Sequence, residues 1–340
     1  RNIARRDSTW PWTEVEMDQS DVTSLIVESA EKILSDFCDK KLLDQCEAGG
    51  FAKELWEEIR TNGFLDLGIF KEQYSNQDVF AFLKICGRYA APLPLAETIL
   101  ARGWFPDALS DESGVASIGV VDGLEVKRVA WGRFTEWLVA INIEDMSLRL
   151  FKDFEVVEEK MNMAGEPSDT LRVGDPFSAI ELKEEPFAQM ALAKTNLLAG
   201  TLQSVLDLGL LFATDRVQFG RSISKFQAIQ HSLAVIAAEV AAAQRAADAA
   251  VDSIGGERFV IEVAAGKARV GEAVGIVAEQ THQIHGAMGF THEHQLHHFT
   301  RRLWAWRDEW GSESYWQRRL GEWLSKQGPD KLWASLATPC

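Results

Sequence analysis

The sequence predicts a mainly α-helical protein with a small β-domain between two helical regions. Over residues 21–104 and 187–327, apolar residues recur every three or four positions, which is the helical period. Between residues 105 and 186 the period shortens to two, and the segments are short and rich in β-branched residues. A chain of 340 residues is also long enough for two or three domains.

These patterns divide the chain into five segments. We expect an amino-terminal arm over 1–20, a helical domain over 21–104, a β-domain over 105–186, a helical bundle over 187–327 and a tail over 328–340. The arm has no apolar core of the kind found in secretory signals. No apolar run approaches the roughly 18 residues of a membrane span.

Four helices are predicted in the amino-terminal domain. A second apolar set over 51–59 is ended by Gly63, and Pro92 and Pro94 separate two further helices, because proline cannot continue a helix. The first helix follows a polar cluster that can cap it, and its apolar positions are Leu25, Ile26, Ala30, Ile33, Leu34 and Phe37.

Strands are predicted at 115–121, 124–131, 137–143 and 148–154, where alternating segments are separated by Asp, Gly and Glu. This pattern favours an antiparallel sheet. In the carboxy-terminal region, 187–214 is apolar almost all round, as a helix buried on several sides must be. Ala-rich helices over 225–253 and 258–285 and shorter ones near 293–303 and 313–325 complete a four-helix bundle with appended helices.

Composition excludes several functional classes. The net charge of −16 argues against nucleic-acid binding and against a basic membrane-binding surface. The four cysteines, Cys38, Cys46, Cys86 and Cys340, show no CxxC spacing, which favours a reduced cytoplasmic chain without disulfides. Six of the twelve Trp lie between residues 301 and 340, where a core and an oligomer surface are equally consistent with them.

Two stretches carry the functional signal. In DRVQFGRSISKF, residues 215–226, a long helix ends, the chain turns at Gly220, and a new helix begins after Ser224. Arg216 and Arg221 flank that turn beside the amides of a helix start, a combination that binds phosphate. In QIHGAMGF, residues 283–290, glycines end another long helix and allow the backbone to approach a ligand.

With these two motifs in this order and at this spacing, the sequence resembles the acyl-CoA dehydrogenase family. The family motifs RxxFGxxxxxFQxxQH and QxxGxxGF correspond to residues 216–231 and 283–290. The resemblance implies that family's fold: an amino-terminal helical domain, a middle β-domain and a carboxy-terminal four-helix bundle. The middle domain here is shorter and lacks the TEPxxGSD segment and the strand ending in ITN that hold the flavin ring in relatives.

The resemblance also implies FAD as the cofactor and assigns its contacts. Arg216 corresponds to the arginine that holds the flavin pyrophosphate across a subunit boundary, with Gln218 and Phe219 beside it, and Gln227 corresponds to a residue at the adenosine end. Ser224 to Gln227 also fits a helix capping box, so a structural role for Gln227 stays open. The residues that correspond to a segment against the ADP of the neighbouring subunit are Gln283, Ile284, Gly286 and Ala287.

No catalytic base is found at the positions the family uses. A base must take the α-proton of the acyl-CoA thioester while hydride leaves the β-carbon. In relatives, that glutamate corresponds to Trp310, or in a second group to Met190, and neither residue here is an acid. Glu309, one residue from the first position, is the only local candidate.

A metal site is not expected, although six of the seven His fall between residues 282 and 298. His294 has helical spacing with His297 and His298, but no Cys or carboxylate set in the sequence completes a coordination shell.

The interpretation that fits these observations is a small, non-catalytic subunit of a heteromeric (α2β2) acyl-CoA dehydrogenase. It would complete the FAD site of a full-length partner, which would bind most of the acyl-CoA, a steroid side-chain thioester being the leading expectation. Electron-transferring flavoprotein is the acceptor that the resemblance implies. Two alternatives stay open: a self-sufficient homo-oligomeric enzyme that uses Glu309, and a flavin-free scaffold protein on the same fold.

Overall fold

The computed structural model describes residues 19–69, 73–110, 112–145, 147–181, 185–331 and 333–334. Most of the predicted amino-terminal arm, Cys340 and much of the predicted tail lie outside these residues. Helices at both ends of the described chain flank a seven-stranded sheet. The predicted fold class, mainly α with a middle β-region, is confirmed.

The amino-terminal region is helical throughout. Periodicity predicted four of its helices but missed the short α2, whose first turn is capped by the Asp39 carboxylate accepting from the Leu42 amide at 2.8 Å. Its helices are α1 (Gln19–Phe37), α2 (Lys40–Glu47), α3 (Lys53–Thr61), α4 (Asn76–Arg88), α5 (Leu95–Trp104) and α6 (Pro106–Leu109).

The sheet has the strand order β5-β6-β2-β1-β3-β4-β7. The prediction of an antiparallel sheet is wrong at one pair, because β1 and β3 run parallel with Ala116 opposite Trp137. The chain folds back from β1 as a hairpin, then crosses to the other edge of β1. Strands β5 to β7 extend the sheet beyond the predicted segments. The strands are β1 (Ala116–Asp122), β2 (Glu125–Ala130), β3 (Trp137–Ile141), β4 (Ser147–Phe151), β5 (Phe154–Glu158), β6 (Ser168–Val173) and β7 (Ser178–Glu181).

The carboxy-terminal bundle is built around α7 (Pro186–Asp215), against which α4, α8, α9 and α10 pack. A two-stranded hairpin, β8 (Val217–Gln218) and β9 (Arg221–Ser222), follows α7. The remaining helices are α8 (Gln227–Asp252), α9 (Phe259–His285), α10 (Leu296–Asp308) and α11 (Glu313–Gln327). Single 3₁₀ turns lie at Phe64–Asp66, Gly132–Phe134, Ile223–Lys225, Gly286–Phe290 and Pro329–Lys331.

Contrary to the expectation from the sequence, α7 is long and apolar enough to cross a membrane by length and composition alone. Its most apolar window is 61% buried inside the protein, which is how a core helix behaves. The tryptophans near the carboxyl end divide between core and surface. Trp306 and Trp316 are buried, whereas Trp333 is 79% exposed.

Two glycines allow α4 and α7 to cross with their backbones in contact. A Cβ on Gly87 would overlap the carbonyl oxygen of Leu197, and a Cβ on Gly200 would overlap that of Lys84. At the same crossing, the Thr201 hydroxyl donates to the Gly87 carbonyl at 2.9 Å. This hydroxyl satisfies one of the carbonyls that the end of α4 leaves without an intrahelical partner.

We expect Gly200→Ala to lower the free energy of unfolding by about 3 kcal/mol, because the new methyl group meets backbone that cannot move aside. Gly209→Ala, in the same helix, is the matched control. Its Cβ would lie 3.6 Å from the Thr281 methyl group, an ordinary contact, so helix propensity should make it neutral or stabilising by up to about 1 kcal/mol. Denaturant unfolding of both variants measures the difference, and equal effects would show that the crossing tolerates a methyl group.

Candidate functional site

The first motif forms the end of α7 and the hairpin that follows. Arg216 is the C-cap of α7, and its carbonyl accepts from the Ile223 amide at 2.8 Å, closing the hairpin. The two turn residues, Phe219 and Gly220, have φ values of +51° and +77°. Positive φ at both positions matches the right-handed strand twist and is typical of tight hairpins.

The side chains of this hairpin face solvent. Phe219 is 90% exposed, and Arg216 and Gln218 are also exposed. Arg221 lies over the Phe226 ring at 4.3 Å. A bulky residue held in a left-handed conformation and left in solvent is costly, so it indicates a functional constraint rather than a packing one.

The capping box predicted at Ser224 to Gln227 does not form. Helix α8 begins two residues later than the box requires, so Gln227 is its first residue and Phe226, which supplies no side-chain cap, precedes it. The Ser224 hydroxyl instead bonds to the Ser222 hydroxyl at 2.7 Å. Gln227 therefore stands exposed at an uncapped helix start, where amides without intrahelical partners favour an anion.

The second motif ends α9. Gln283, Gly286 and Ala287 are exposed, and the space where a Cβ would extend from Gly286 (φ +56°) is open. Ile284 differs from them because its side chain is buried in the core. Gly289 is enclosed by the side chains around it.

The structure brings the two motifs together at one end of the bundle. One turn before Arg216, the Phe212 ring stacks on the His285 ring with centroids 4.3 Å apart. Arg216 also lines a shallow cavity of about 310 Å³, the rest of whose lining is Leu208, Leu211, Phe212, Asp215, His294 and Gln295. The predicted cofactor contacts at Arg216, Gln218, Phe219 and Gln283 thus belong to an exposed surface.

The two positions at which the resemblance places a catalytic base, 190 and 310, are occupied by packed apolar side chains. Met190 is fully buried in a cluster with residues of α5 and the sheet. Trp310 packs edge-on against Phe187 with ring centroids 5.4 Å apart. Its φ of +57° is a strained value for a bulky residue.

Glu309, the remaining candidate base, is ion-paired with a buried lysine. The Lys194 ammonium lies 2.9 Å from Glu309 and 2.9 Å from Glu97. Burial by itself would lower the pKa of Lys194, but the two carboxylates raise it well above its usual range. Burial raises the pKa of Glu309 above its usual range, and Lys194 offsets that rise only in part. Both oxygens of the carboxylate are engaged, Oε2 by Lys194 at 2.9 Å and Oε1 by the Asn162 amide.

The ion pairs continue as a chain through the interior. Glu309 accepts from the Asn162 amide at 3.3 Å, and Asn162 also donates to Glu166 at 3.2 Å. The fully buried Arg302 then joins Glu166 at 3.0 Å to Glu47 at 2.8 Å. Burial would raise the pKa of Glu47, but bonds from His298 and Arg302 hold it at about 2. We call this series, from Glu97 to Glu47, the buried ionic chain.

The buried ionic chain nearly fills the space beside position 310. The cavity that remains between α5, α7, α10 and the sheet measures about 20 Å³ and is lined by Glu97, Trp131, Asn162, Glu166, Lys194, Trp306 and Glu309, among others. That volume accommodates about one water molecule. It cannot accept a flavin ring or an acyl chain.

The buried ionic chain was not predicted from the sequence, although one signal for it was present. Lys194 is the only basic residue in the otherwise apolar stretch 187–214. A buried charge must be paired, so a single lysine in such a stretch predicts an acidic partner. The identity of the partners could not be read, because Glu97, Asn162 and Glu309 come from distant parts of the chain.

The comparisons with known proteins agree with this fold. Residues 183–319 match the family described as "Acyl-CoA dehydrogenase, C-terminal domain". The acyl-CoA dehydrogenase IpdE2 of Mycolicibacterium smegmatis is 26% identical over 242 residues, 66% of this chain and 71% of that protein. Residues 183–319 therefore match the C-terminal domain of the acyl-CoA dehydrogenase family, and 66% of the chain is similar to a member of that family. Acyl-CoA dehydrogenases are FAD-dependent oxidoreductases that act on CH–CH bonds.

Other relatives match over shorter segments. The acyl-CoA dehydrogenase FadE34 of Mycobacterium tuberculosis is 32% identical over 49% of this chain, which covers only 23% of that protein. Among solved structures, the Tcur3481-Tcur3483 steroid ACAD has a TM-score of 0.80 at 19% identity, covering 91% of this chain and 99% of that one. The ChsE4-ChsE5 complex of Mycobacterium tuberculosis has a TM-score of 0.78 at 17% identity, covering 91% and 99%.

The site residues fit one end of FAD and not the other. The exposed Arg216, Gln218 and Gln283, with the open backbone at Gly286, offer charge and access to a pyrophosphate. The interior beside Glu309 offers no space for the ring.

We expect stability to fall as the pH drops from 7 to 5, partly through His285. Burial lowers its pKa to about 4, against 6.5 in the unfolded chain, so the unfolded state takes up a proton first and is favoured as acid is added. The His285 contribution to this loss is about 2 kcal/mol at pH 5. Denaturant unfolding at pH 7 and pH 5 should show His285→Gln losing about 2 kcal/mol less than wild type over that interval. An identical loss in both proteins would refute the assignment.

Proposed function

We propose that this chain is a non-catalytic subunit of a heteromeric acyl-CoA dehydrogenase and that it completes the ADP end of a flavin held by a full-length partner. The partner supplies the ring site, the base and most of the acyl-CoA site. The assembly is an α2β2 tetramer in the cytoplasm, and electron-transferring flavoprotein is its acceptor.

The observation that carries this proposal is the buried ionic chain. Both family base positions are apolar, and the nearest acid, Glu309, is ion-paired with Lys194 at 2.9 Å. The adjoining cavity is about 20 Å³. Proton abstraction requires a free base within hydrogen-bonding distance of the substrate, and neither a free base nor room for the substrate is present here.

The exposed hairpin supports the binding half of the proposal. In an isolated chain, Phe219 and its exposed neighbours Val217 (63%) and Phe290 (73%) would be solvated apolar surface at one end of the bundle. The same end presents Arg216 and the start of α8. An exposed apolar surface that also presents an arginine fits a partner subunit that carries a bound dinucleotide.

The substrate class is drawn from the similar structures. One of them is a steroid ACAD formed by Tcur3481 and Tcur3483, and another is the complex of ChsE4 with ChsE5. By this likeness, we propose that the assembled enzyme dehydrogenates a steroid side-chain CoA thioester.

In the assembled enzyme, this chain's residues would bind and position rather than react. Arg216 would neutralise the flavin pyrophosphate, Gln218 and Gln283 would bond to neighbouring polar groups, and Phe219 would exclude water from the boundary. The flavin, when bound, supplies the hydride acceptor. The buried ionic chain would hold α5, α7 and α10 together in the interior.

We expect the chain purified alone to lack flavin, and co-expression with a full-length acyl-CoA dehydrogenase encoded nearby to give a complex with one FAD per pair of chains. In that complex, Arg216→Ala should weaken FAD binding by about 1.5–3 kcal/mol, the size of a charge-assisted hydrogen bond. Absorption spectra and FAD titration measure both quantities.

The matched control is Arg245→Ala. That arginine is in α8, its side chain is 74% exposed, and it pairs only distantly with Asp248. It should bind FAD as wild type does. One FAD per chain in a pure homo-oligomer, or unchanged FAD affinity in Arg216→Ala, would contradict the proposal.

We further expect Glu309→Gln in the complex to leave turnover within about threefold of wild type, since a group that does not touch the substrate can change only its positioning. The partner's own glutamate, changed to Gln, should abolish turnover. Steady-state kinetics with an acyl-CoA substrate test both variants. A hundredfold loss in Glu309→Gln, with assembly and flavin spectrum intact, would instead favour a self-sufficient enzyme.

A further inference from the structure

We propose that Asp44, His297 and His298 form a binding site for a divalent transition-metal ion, with Zn²⁺ as its best-suited occupant. Asp44 belongs to α2, and the two histidines lie at the start of α10. The site therefore joins the amino-terminal helices to the carboxy-terminal bundle. It uses none of the residues proposed to contact FAD and does not depend on the proposed function.

The ligand atoms are already close together. One nitrogen or oxygen from each of the three residues lies within 4.8 Å of the others. The Nε2 atom of His298 is 3.1 Å from Oδ1 of Asp44. Bonds of about 2.0 Å to a tetrahedral ion place neighbouring ligands about 3.3 Å apart, so this pair needs almost no adjustment.

Hydrogen bonds leave Nε2 as the nitrogen of His298 that is available to a metal. Its Nδ1 lies 2.7 Å from Oε1 of Glu47. That carboxylate is also bonded to Arg301 and Arg302, so it is ionised and can only accept. Nδ1 must then carry the proton and donate it. A carboxylate that accepts from the far nitrogen of an imidazole is the usual support for a metal-binding histidine.

His297 is oriented in a similar way. Its Nδ1 lies 2.7 Å from the His294 carbonyl oxygen, which can only accept. In the neutral ring, Nε2 therefore holds the lone pair. Both histidines thus offer Nε2 as a ligand, and the other nitrogen of each is held by an oxygen of the protein.

The decisive observation is that Nε2 of His298 has no hydrogen-bond partner, although the residue is fully buried. The Asp44 oxygen lies near Nε2, but to one side of the axis along which an N–H group would donate well. If a tetrahedral ion lay on that axis, its second ligand would lie to one side, where the Asp44 oxygen is. A cation between the two would satisfy a lone pair and a carboxylate that otherwise face each other.

The ligand set selects the class of metal. Two imidazoles and one carboxylate suit Zn²⁺, Co²⁺ and Ni²⁺ better than Mg²⁺ or Ca²⁺, which prefer oxygen. Asp44 keeps its other oxygen bonded to Lys40 at 2.7 Å and its side chain is 48% exposed, so an ion can enter from solvent. Water would complete the coordination. The exposed His292, whose ring is 5.2 Å from that of His297, stands beside the site.

The test is titration of the full chain, without a histidine tag. If the chain is isolated as a complex with its partner, the complex is titrated. Zn²⁺ binding is measured by calorimetry and Co²⁺ binding by visible absorption. We expect one Zn²⁺ per chain, a Co²⁺ spectrum typical of low coordination number, and a higher Tm with Zn²⁺, because the ion binds only the folded protein. Asp44→Asn and His297→Gln should each weaken Zn²⁺ binding by at least about tenfold.

The control variant that separates this site from adventitious binding is His231→Gln. His231 is an exposed residue of α8, and its substitution should leave Zn²⁺ binding unchanged. Asp44→Asn is exposed enough to fold, so its result stands even where His298→Gln unfolds the chain. The proposal is overturned if no Zn²⁺ binds at micromolar concentration. It is equally overturned if Asp44→Asn binds Zn²⁺ as wild type does while His292→Gln does not, since exposed imidazoles alone would then account for the binding.

Discussion

The ammonium group of Lys194 is the constraint on which the centre of this protein depends. Helix α7 passes through the middle of the fold with a charge on an otherwise apolar face, and a buried charge without partners is among the most costly features a protein can contain. Glu97 approaches it from α5 and Glu309 from the end of α10, each at 2.9 Å. The ammonium nitrogen of Lys194 therefore links three regions of the chain: α5, α7 and the end of α10.

The same pairing is the basis of our proposal that this chain is non-catalytic. With Glu309 drawn towards Lys194, the chain after α10 turns sharply, and Trp310 packs on Phe187 in a left-handed conformation. The volume that remains is closed by side chains and hydrogen bonds. The functional features of the molecule lie instead on its outside, at the hairpin and at the end of α9, where strain and exposure coincide at Phe219. In the proposed assembly, the interior gives rigidity and the exterior gives recognition.

The sequence was sufficient for whatever depends on local periodicity and motif spacing. The helical regions, the β-region between them and the resemblance to acyl-CoA dehydrogenases followed from it, because helix and strand periods differ and the two motifs are long. The parallel pairing of β1 with β3 did not follow, since strand direction is decided by where the chain crosses the sheet. The capping box at Ser224 did not form, because the Ser224 hydroxyl bonds to the Ser222 hydroxyl of the hairpin. The buried ionic chain and the cluster of Asp44 with His297 and His298 bring together residues up to about 250 positions apart, and only the tertiary fold places them.

The contact between α4 and α7 has a consequence for how the molecule opens. At Gly87 and Gly200 the two helices meet backbone to backbone. The Thr201 and Ser204 hydroxyls donate hydrogen bonds to the carbonyls of Gly87 and Arg88 at the end of α4. No flexible side chain separates the amino-terminal helices from the bundle at that point. The two regions, distinct in sequence, should therefore unfold as one cooperative unit. Their amides near the crossing would exchange with solvent hydrogen only through global unfolding, whereas the hairpin after α7 exchanges freely.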